Sequence, residues 1–311
     1  MRNLTLRQLR AVLAVKRLGK ISLVAKENGL TAPAVTMQIQ QAEAEVGLAL
    51  FERTRDGMVP TDAGFAIVEA ALAVEERLRQ LADELAAVTG GRRGSLRLGA
   101  VSTAKYFAPS LVAAFKKELP EIDLQLLVGN RAATIDAIEN RQVDVALMGH
   151  PPRHLPVQAI LIGEHPLVIV ARPDHPLAGE KRIAKNRIAQ EIFVVREHGS
   201  GTRISFEQFL GSMPGRLDNL GMEFSSNETI KQAVMAGLGI GFISAHTIAM
   251  EVAFGRLVIL DVVNTPVRRQ WFAVSRADRT ASPLMTAFKD FAGRRGRDFL
   301  PRVASSDERS A

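Results

Sequence analysis

The spacing of apolar residues in this 311-residue chain changes once, near residue 90. Before that point apolar residues recur every three or four positions, which is typical of amphipathic helices. After it, short runs of Val, Ile and Leu alternate with helical patterns, which predicts an α/β fold with parallel sheets. A chain of this length also suggests about two domains. We therefore expect a helical N-terminal part followed by an α/β C-terminal part.

The composition excludes several classes of function. The chain has no cysteine, so it has no thiol nucleophile, thiolate zinc site, iron–sulfur cluster or disulfide. Its first twenty residues carry basic side chains throughout and lack an unbroken apolar core. We therefore expect neither a signal peptide nor a membrane span, and a cytoplasmic location. The net charge of +7 permits a polyanionic partner without identifying it.

Residues 1–60 predict three short helices and a hairpin. The first helix is expected over Thr5–Arg17 and the second over Ser22–Glu27, followed by a glycine-containing turn. Thr31 is placed to cap the third helix. Residues 50–59 then predict two short strands around an Asp-Gly turn.

The spacing of the second and third helices fits a helix-turn-helix, whose second helix enters the DNA major groove. The segment is ISLVAKENGLTAPAVTMQIQ, residues 21–40. The candidate base-contacting residues of that helix are Thr31, Ala32, Pro33, Thr36, Gln38 and Gln41. No Lys or Arg occurs between residues 27 and 52, so Arg53 and Arg55 in the hairpin are the candidate phosphate ligands. The competing interpretation is a plain three-helix bundle.

A long helix is predicted over about 61–89. Its apolar residues alternate in steps of four and three, the heptad seam of a helix that pairs with another helix. The seam consists of Ile67, Ala71, Val74, Leu78, Leu81, Leu85 and Val88. We favour a dimer seam, and the alternative is a helix packed on its own domain.

The region beyond residue 94 predicts eight strands with helices between several of them. Helical patterns lie near 107–118, 132–140, 203–212 and 227–236. The candidate strands are Leu96–Val101, Asp123–Val128, Val143–Met148, Leu167–Ala171, Phe193–Val195, Ile240–Ser244, Leu257–Leu260 and Gln270–Val274. About 200 residues suffice for two α/β lobes with a ligand cleft between them.

Four segments together resemble the LysR-type transcriptional regulators. They are LRQLRAVLAV (6–15), TAPAVTMQIQQAEAEVG (31–47), LFERT (50–54) and VPTDAG (59–64). The resemblance implies a winged helix-turn-helix over 1–60, a linker and dimerisation helix over 61–90, and an effector-binding domain over 91–301. That domain would be a two-lobe α/β fold like that of periplasmic binding proteins. Lobe I would span about 91–162 and 267–301, lobe II about 163–266, and residues 302–311 would form a disordered tail.

A narrower resemblance joins the chain to the branch that regulates Calvin-cycle carbon-fixation operons. It rests on AVSTAKYFAPSLVAAFKKELPEIDLQLLVGNR (100–131) and on VTMQI in the third helix. The resemblance implies an effector-responsive activator whose partners are operator DNA with dyad symmetry, further copies of the chain as dimer or tetramer, and RNA polymerase. The alternative within the family is control of another operon by a non-phosphorylated acid.

Effectors of this family bind between the lobes, at strand ends and helix starts. Free backbone N–H groups there favour an anion, hydroxyls add donors, and basic side chains supply charge for a phosphorylated metabolite. The residues that match these places are Ser102, Thr103, Lys105, Asn130, Arg131, Ser200, Thr202, Arg203 and Asn227. The competing interpretation is that the Ser and Thr residues only cap helices.

Other classes of function have weaker support. The six histidines lack metal-ligand spacing, and no nucleophile–base pair or phosphate loop is visible, so we expect no metal, no cofactor and no enzyme activity. A solute-binding protein remains the alternative to a regulator, because residues beyond 90 alone resemble one. The single Trp271 is expected in the core.

Overall fold

The computed structural model describes residues 3–55, 57–88, 94–211, 220–278 and 281–302, without the side chains of 83, 84 and 86–88. The chain divides into two compact units, Met1–Thr89 and Gly90–Ala311. The disordered tail predicted over 302–311 lies, beyond Arg302, outside the described residues. No helix in the described part is long and apolar enough to cross a membrane.

The N-terminal unit contains the predicted helices and hairpin, with bounds within about two residues of those expected. Thr5 and Gln8 form a capping box at the start of the first helix, and Gly19 ends that helix with left-handed backbone. The elements are α1 (Leu6–Leu18), α2 (Ile21–Asn28), α3 (Ala32–Val46), β1 (Phe51–Thr54), β2 (Gly57–Pro60) and α4 (Asp62–Val88).

The hairpin of β1 and β2 is fixed against the end of α1. The backbone N–H of Met58 donates to the carbonyl of Gly19 at 2.7 Å. A Cβ on Gly57 would stand 2.4 Å from that same oxygen, and the φ of Gly57 is +130°. Only glycine therefore permits this close approach. The buried core beneath the hairpin and helices includes Val12, Ile39 and Leu50.

The C-terminal unit carries the remaining elements. Three short 3-10 helices cover Ser102–Tyr106, Ala245–Thr247 and Gly296–Phe299. The strands are β3 (Ser95–Val101), β4 (Asp123–Gly129), β5 (Val145–Met148), β6 (Val157–Ala171), β7 (Phe193–Arg196), β8 (Leu220–Phe224), β9 (Ile240–Ser244), β10 (Val258–Ile259) and β11 (Val267–Arg276). The helices are α5 (Ala108–Glu118), α6 (Arg131–Glu139), α7 (Lys185–Ile188), α8 (Gly201–Leu210), α9 (Asn227–Met235), α10 (Ala249–Ala253) and α11 (Pro283–Arg295).

The strands pair in the order β4-β3-β5-β11-β6-β9-β7-β8, with β10 on β6. Two parallel sets stand at the ends: β4, β3 and β5 form lobe I, and β9, β7 and β8 form lobe II. The strands β6 and β11 run antiparallel to their neighbours and join the two sets. The predicted two-lobe α/β fold is confirmed, but the expectation of parallel pairing is wrong for these two joining strands.

The strand predicted over Leu167–Ala171 is also too short, because β6 begins ten residues earlier at Val157. The segment Gly163-Glu164-His165-Pro166 interrupts its apolar pattern. Ten residues of β6 between Val157 and Leu167 pair with residues of β11. This pairing holds the segment in strand geometry despite its composition. The strand β8 and the helix α11 were not predicted.

Each lobe has its own apolar core. In lobe I, Phe107, Phe115 and Phe288 pack between the sheet and its helices. In lobe II, Phe193, Phe206 and Phe242 do the same. Trp271 is fully buried in the lobe I core, as predicted, and meets Phe107 edge-on.

Candidate functional site

The predicted reading helix, α3, presents an exposed face. Thr31 caps it by accepting a hydrogen bond from the backbone N–H of Ala34, and Val35, Ile39 and Ala42 bury the opposite side. Of the predicted base-contacting residues, four are exposed and two are half-buried. Exposed are Thr31, Ala32, Pro33 and Gln41; half-buried are Thr36 and Gln38. The structure thus leaves the whole predicted set on the accessible side of α3.

Arg53 and Arg55 are exposed at the hairpin, and neither forms an ion pair with the described residues. Two other arginines of this unit are paired: Arg10 contacts Glu75 at 2.6 Å, and Arg17 contacts Glu27. The cationic side chains of the hairpin are therefore available to an external anion.

The predicted seam of α4 divides into two parts. Ile67 and Ala71 are buried in the core of their own unit, so for them the packing alternative is right. A more exposed apolar stripe lies beyond them on the same helix. It consists of Val74, Leu78, Leu81 and Leu85, which are 37–57% exposed. The side chain of Val88 lies outside the described residues.

A cleft opens between the two lobes of the C-terminal unit. Among the described residues of its wall there is no Asp or Glu, whereas Arg131 and Arg269 both contribute to it. The pKa of His150, which also lines the cleft, is lowered by burial and by the positive charges of these two arginines. The cleft therefore carries a positive field suited to an anion.

Five of the predicted effector residues line this cleft: Ser102, Thr103, Arg131, Ser200 and Thr202. Ser200 precedes α8 but makes no side-chain capping bond, and no side-chain cap precedes the 3-10 helix that begins at Ser102. The capping interpretation is therefore not supported for these two serines.

The other four predicted effector residues lie outside the cleft wall, and each is engaged by a protein partner. Lys105 contacts Glu228 at 3.1 Å, and Asn130 caps α6 by accepting from the backbone N–H of Ala133. Arg203 is buried against Glu207 and Glu223. Asn227 donates to Thr103 Oγ1 at 3.3 Å and accepts from Arg196. The structure does not bring these four to the cleft, and effector contact by them stays a prediction.

Lys105 and Asn227 belong to a set of contacts between the lobes, which we call the clasp. On lobe I it comprises Ser102, Thr103, Lys105 and Tyr106, and on lobe II Arg196, Asn227, Glu228 and Lys231. Burial acts to raise the pKa of Glu228, but hydrogen bonds from Lys231, Tyr106 and Lys105 lower it to about 2. Glu228 is thus held as an anion by both lobes.

His165 and Arg269 are among the cleft residues that were missed in the sequence. They face each other across the β6–β11 ladder, where His165 is the register partner of Arg269. His165 lies in the segment that interrupts β6, and the predicted last strand began one residue after Arg269. The segment VRRQWFAV does not alternate polar and apolar residues, so only the fold extends the strand over Arg269 and identifies which of its arginines faces the cleft.

No group of three or more His, Asp or Glu residues in the described part could hold a metal ion.

Comparison with known proteins gives consistent family matches. Residues 6–65 match the model of the bacterial regulatory helix-turn-helix protein, lysR family, and residues 89–297 match the LysR substrate binding domain. The chain is 58% identical over 304 residues to the HTH-type transcriptional regulator CbbR of Sinorhizobium medicae, covering 98% of this chain and 97% of that one. It is 44% identical over 289 residues to the RuBisCO operon transcriptional regulator of Allochromatium vinosum, covering 93% and 95%.

Among solved structures, the chain is similar to the regulatory domain of Synechocystis PCC6803 CcmR in complex with 2-PG. The two share 34% identity with a TM-score of 0.60, over 64% of this chain and 96% of that one.

Proposed function

The chain belongs to the LysR family of bacterial transcriptional regulators, and from that premise we propose that it controls a carbon-fixation operon in response to a small phosphorylated acid. The observation that carries the proposal is the cleft: its described lining includes two arginines and several hydroxyls and no carboxylate. Relatives over nearly the whole chain regulate RuBisCO operons, and a similar regulatory domain binds 2-PG. A phosphorylated acid matches this lining because arginine and hydroxyl donors hydrogen-bond its oxygens.

DNA binding is assigned to the N-terminal unit. The exposed residues of α3 reach base edges in the major groove, and Arg53 and Arg55 contact phosphates. A dimer of such units reads a site with dyad symmetry, because a two-fold axis in the protein requires one in the operator. RNA polymerase is the further partner in this proposal.

The partner of the apolar stripe on α4 is assigned as a second copy of the chain. LysR regulators form oligomers, and the stripe follows the heptad spacing of paired helices. In this account the protein acts in the cytoplasm, as a regulator rather than an enzyme.

A ligand screen tests the effector assignment. The purified protein is melted with phosphoglycolate, 3-phosphoglycerate, ribulose bisphosphate, inorganic phosphate and non-phosphorylated acids. A ligand bound only by the folded state raises the melting temperature. We expect the phosphorylated acids to do so, and a shift only with non-phosphorylated acids would replace the proposed effector by another class.

Variants on one strand make the screen specific. Arg269→Gln should weaken binding about tenfold or more, because it removes a charged donor from the cleft wall. Arg268→Gln is the matched control: Arg268 is the neighbouring residue of β11, lies outside the cleft lining and contacts Glu164. Equal ligand affinities of the two variants would contradict the assignment.

A further inference from the structure

One polar side chain of the cleft has no partner of its own. His165 lines the cleft but is only 7% exposed, and neither ring nitrogen has a hydrogen-bond partner among the described residues. Buried polar groups are normally paired, because water is no longer there to replace the missing hydrogen bond. The exception at His165 therefore needs an explanation.

The ring is held in place by stacking alone. Trp271 lies against it at 3.9 Å between centroids and 21° between planes. The indole N–H of Trp271 donates instead to Nδ1 of His246 at 3.1 Å, so the hydrogen bond in this stack bypasses His165. The orientation of His165 is thus fixed while both of its nitrogens stay unused.

Gly149 packs closely against one of these nitrogens. A Cβ on Gly149, which also lines the cleft, would stand 2.9 Å from Nδ1 of His165. A larger residue at this position would collide with the imidazole ring and displace it. Burial lowers the pKa of His165 to about 3, so the ring is neutral near pH 7 and offers one N–H donor and one acceptor nitrogen.

The cationic groups of the cleft stand at two ends of α8. A Cβ on Gly201, the first residue of α8, would lie 3.5 Å from Cδ of Arg131. Arg269 donates to Gln208, seven residues further along the helix. At 1.5 Å per residue these positions are about 10 Å apart along the helix axis. His165 belongs to the second end, as the register partner of Arg269.

We propose that His165 is a ligand-binding residue of the cleft, which donates a ring N–H to an oxygen at the second end of a two-ended acid. One end of the ligand meets Arg131 and the start of α8, and the other end meets Arg269 and His165. The inference rests on the proposed function, because it requires that the cleft bind a small anion.

The test measures dissociation constants of phosphoglycolate, 3-phosphoglycerate and ribulose bisphosphate for the wild type and three variants. His165→Phe keeps the stacked ring but removes both nitrogens, and it should weaken the tightest of these ligands at least tenfold. His165→Gln, which restores a donor, should recover part of that loss. His246→Phe is the matched control: it changes the same stack outside the cleft lining and should leave affinity within about twofold.

A second readout needs no variant. Trp271 is the single tryptophan of the chain and stacks on His165, so its fluorescence should change when ligand binds the wild type. This measurement decides the matter if His165→Phe does not fold, and a saturated wild type with unchanged emission would then overturn the inference.

The outcomes separate the two proposals. In one outcome the wild type binds an acid tightly, Arg269→Gln loses affinity for it and His165→Phe keeps the wild-type affinity. That result would overturn the inference and keep the proposed function. Equal losses in His165→Phe and His246→Phe would also overturn it, because the effect would then be structural. Binding of none of the acids by the wild type would overturn both.

Discussion

Arg53 and Arg55 extend from the hairpin into solvent, unlike Arg10 and Arg17, which are paired with glutamates. Their unpaired charge matters because α3 itself carries no Lys or Arg. Met37 and Gln40, which stand on its exposed face, are uncharged. Phosphate contacts must therefore come from outside α3.

Arg53→Ala should weaken binding to all DNA sequences alike and reduce the slope of log affinity against log salt by about one, because each lost phosphate contact releases about one counterion fewer. Titrations at several salt concentrations measure this. Lys117→Ala, at an exposed position of the C-terminal unit, should leave the slope unchanged. An unaltered slope in Arg53→Ala would remove the hairpin from the DNA interface.

The buried histidines predict how stability depends on pH. Burial lowers the pKa of His165 to about 3 and that of His246 to about 4. Below about pH 6.5 an unfolded histidine takes up a proton that these folded ones do not. The free energy of unfolding is therefore highest above that pH and falls as the solution becomes more acidic.

His165→Phe removes one of these groups. Between pH 7 and pH 5 the variant should lose about 1–2 kcal/mol less stability than the wild type, since each pKa unit corresponds to about 1.4 kcal/mol. Denaturant unfolding at the two pH values measures the difference. If the free energy of unfolding falls by the same amount in the variant and in the wild type, His165 is not held neutral by burial.

At the scale of elements, local sequence signals were sufficient to predict the helices of the N-terminal unit. Thr5, Gly19 and Thr31 mark helix ends by their own hydrogen bonds and backbone angles, so the bounds of α1 to α3 follow from short stretches of sequence. The strand β6 differs, because only its long-range pairing with β11 holds Glu164, His165 and Pro166 in a strand. His165 and Arg269 are 104 residues apart in sequence and become neighbours through that ladder alone. This explains why cleft residues at strand ends and helix starts could be predicted, whereas those that the β6–β11 ladder brings to the cleft could not.

The stripe on α4 also belongs to this scale. Leu78→Glu should raise the dissociation constant of the dimer at least about 100-fold, because an unpaired charge buried in an apolar seam costs about 3–5 kcal/mol. Sedimentation equilibrium measures the change. Ala73→Glu is the control, since Ala73 is exposed and lies about 110° around the helix from the middle of the stripe, at 3.6 residues per turn. Dissociation of both variants, or of neither, would contradict a seam along this stripe.

At the scale of the whole molecule, the C-terminal unit combines a cleft with a clasp. Thr103 belongs to both, since it lines the cleft and accepts a hydrogen bond from Asn227 of lobe II. Ser102 likewise lines the cleft and accepts from Arg196. A ligand that engages these hydroxyls competes with contacts that join the lobes. Such a ligand can shift the balance between two lobe arrangements, provided that it binds one of them more tightly.

The central claim is that an anion in this cleft changes how the protein occupies its operator. DNase I footprinting on the region upstream of the carbon-fixation genes tests this claim most directly, with and without the phosphorylated acid that stabilises the wild type best. We predict protected half-sites about one helical turn, or a multiple of it, apart. Their pattern should change on adding the ligand for the wild type but not for Arg269→Gln. The account would be contradicted if the protein protected no DNA in this region, or if no bound ligand changed the wild-type footprint.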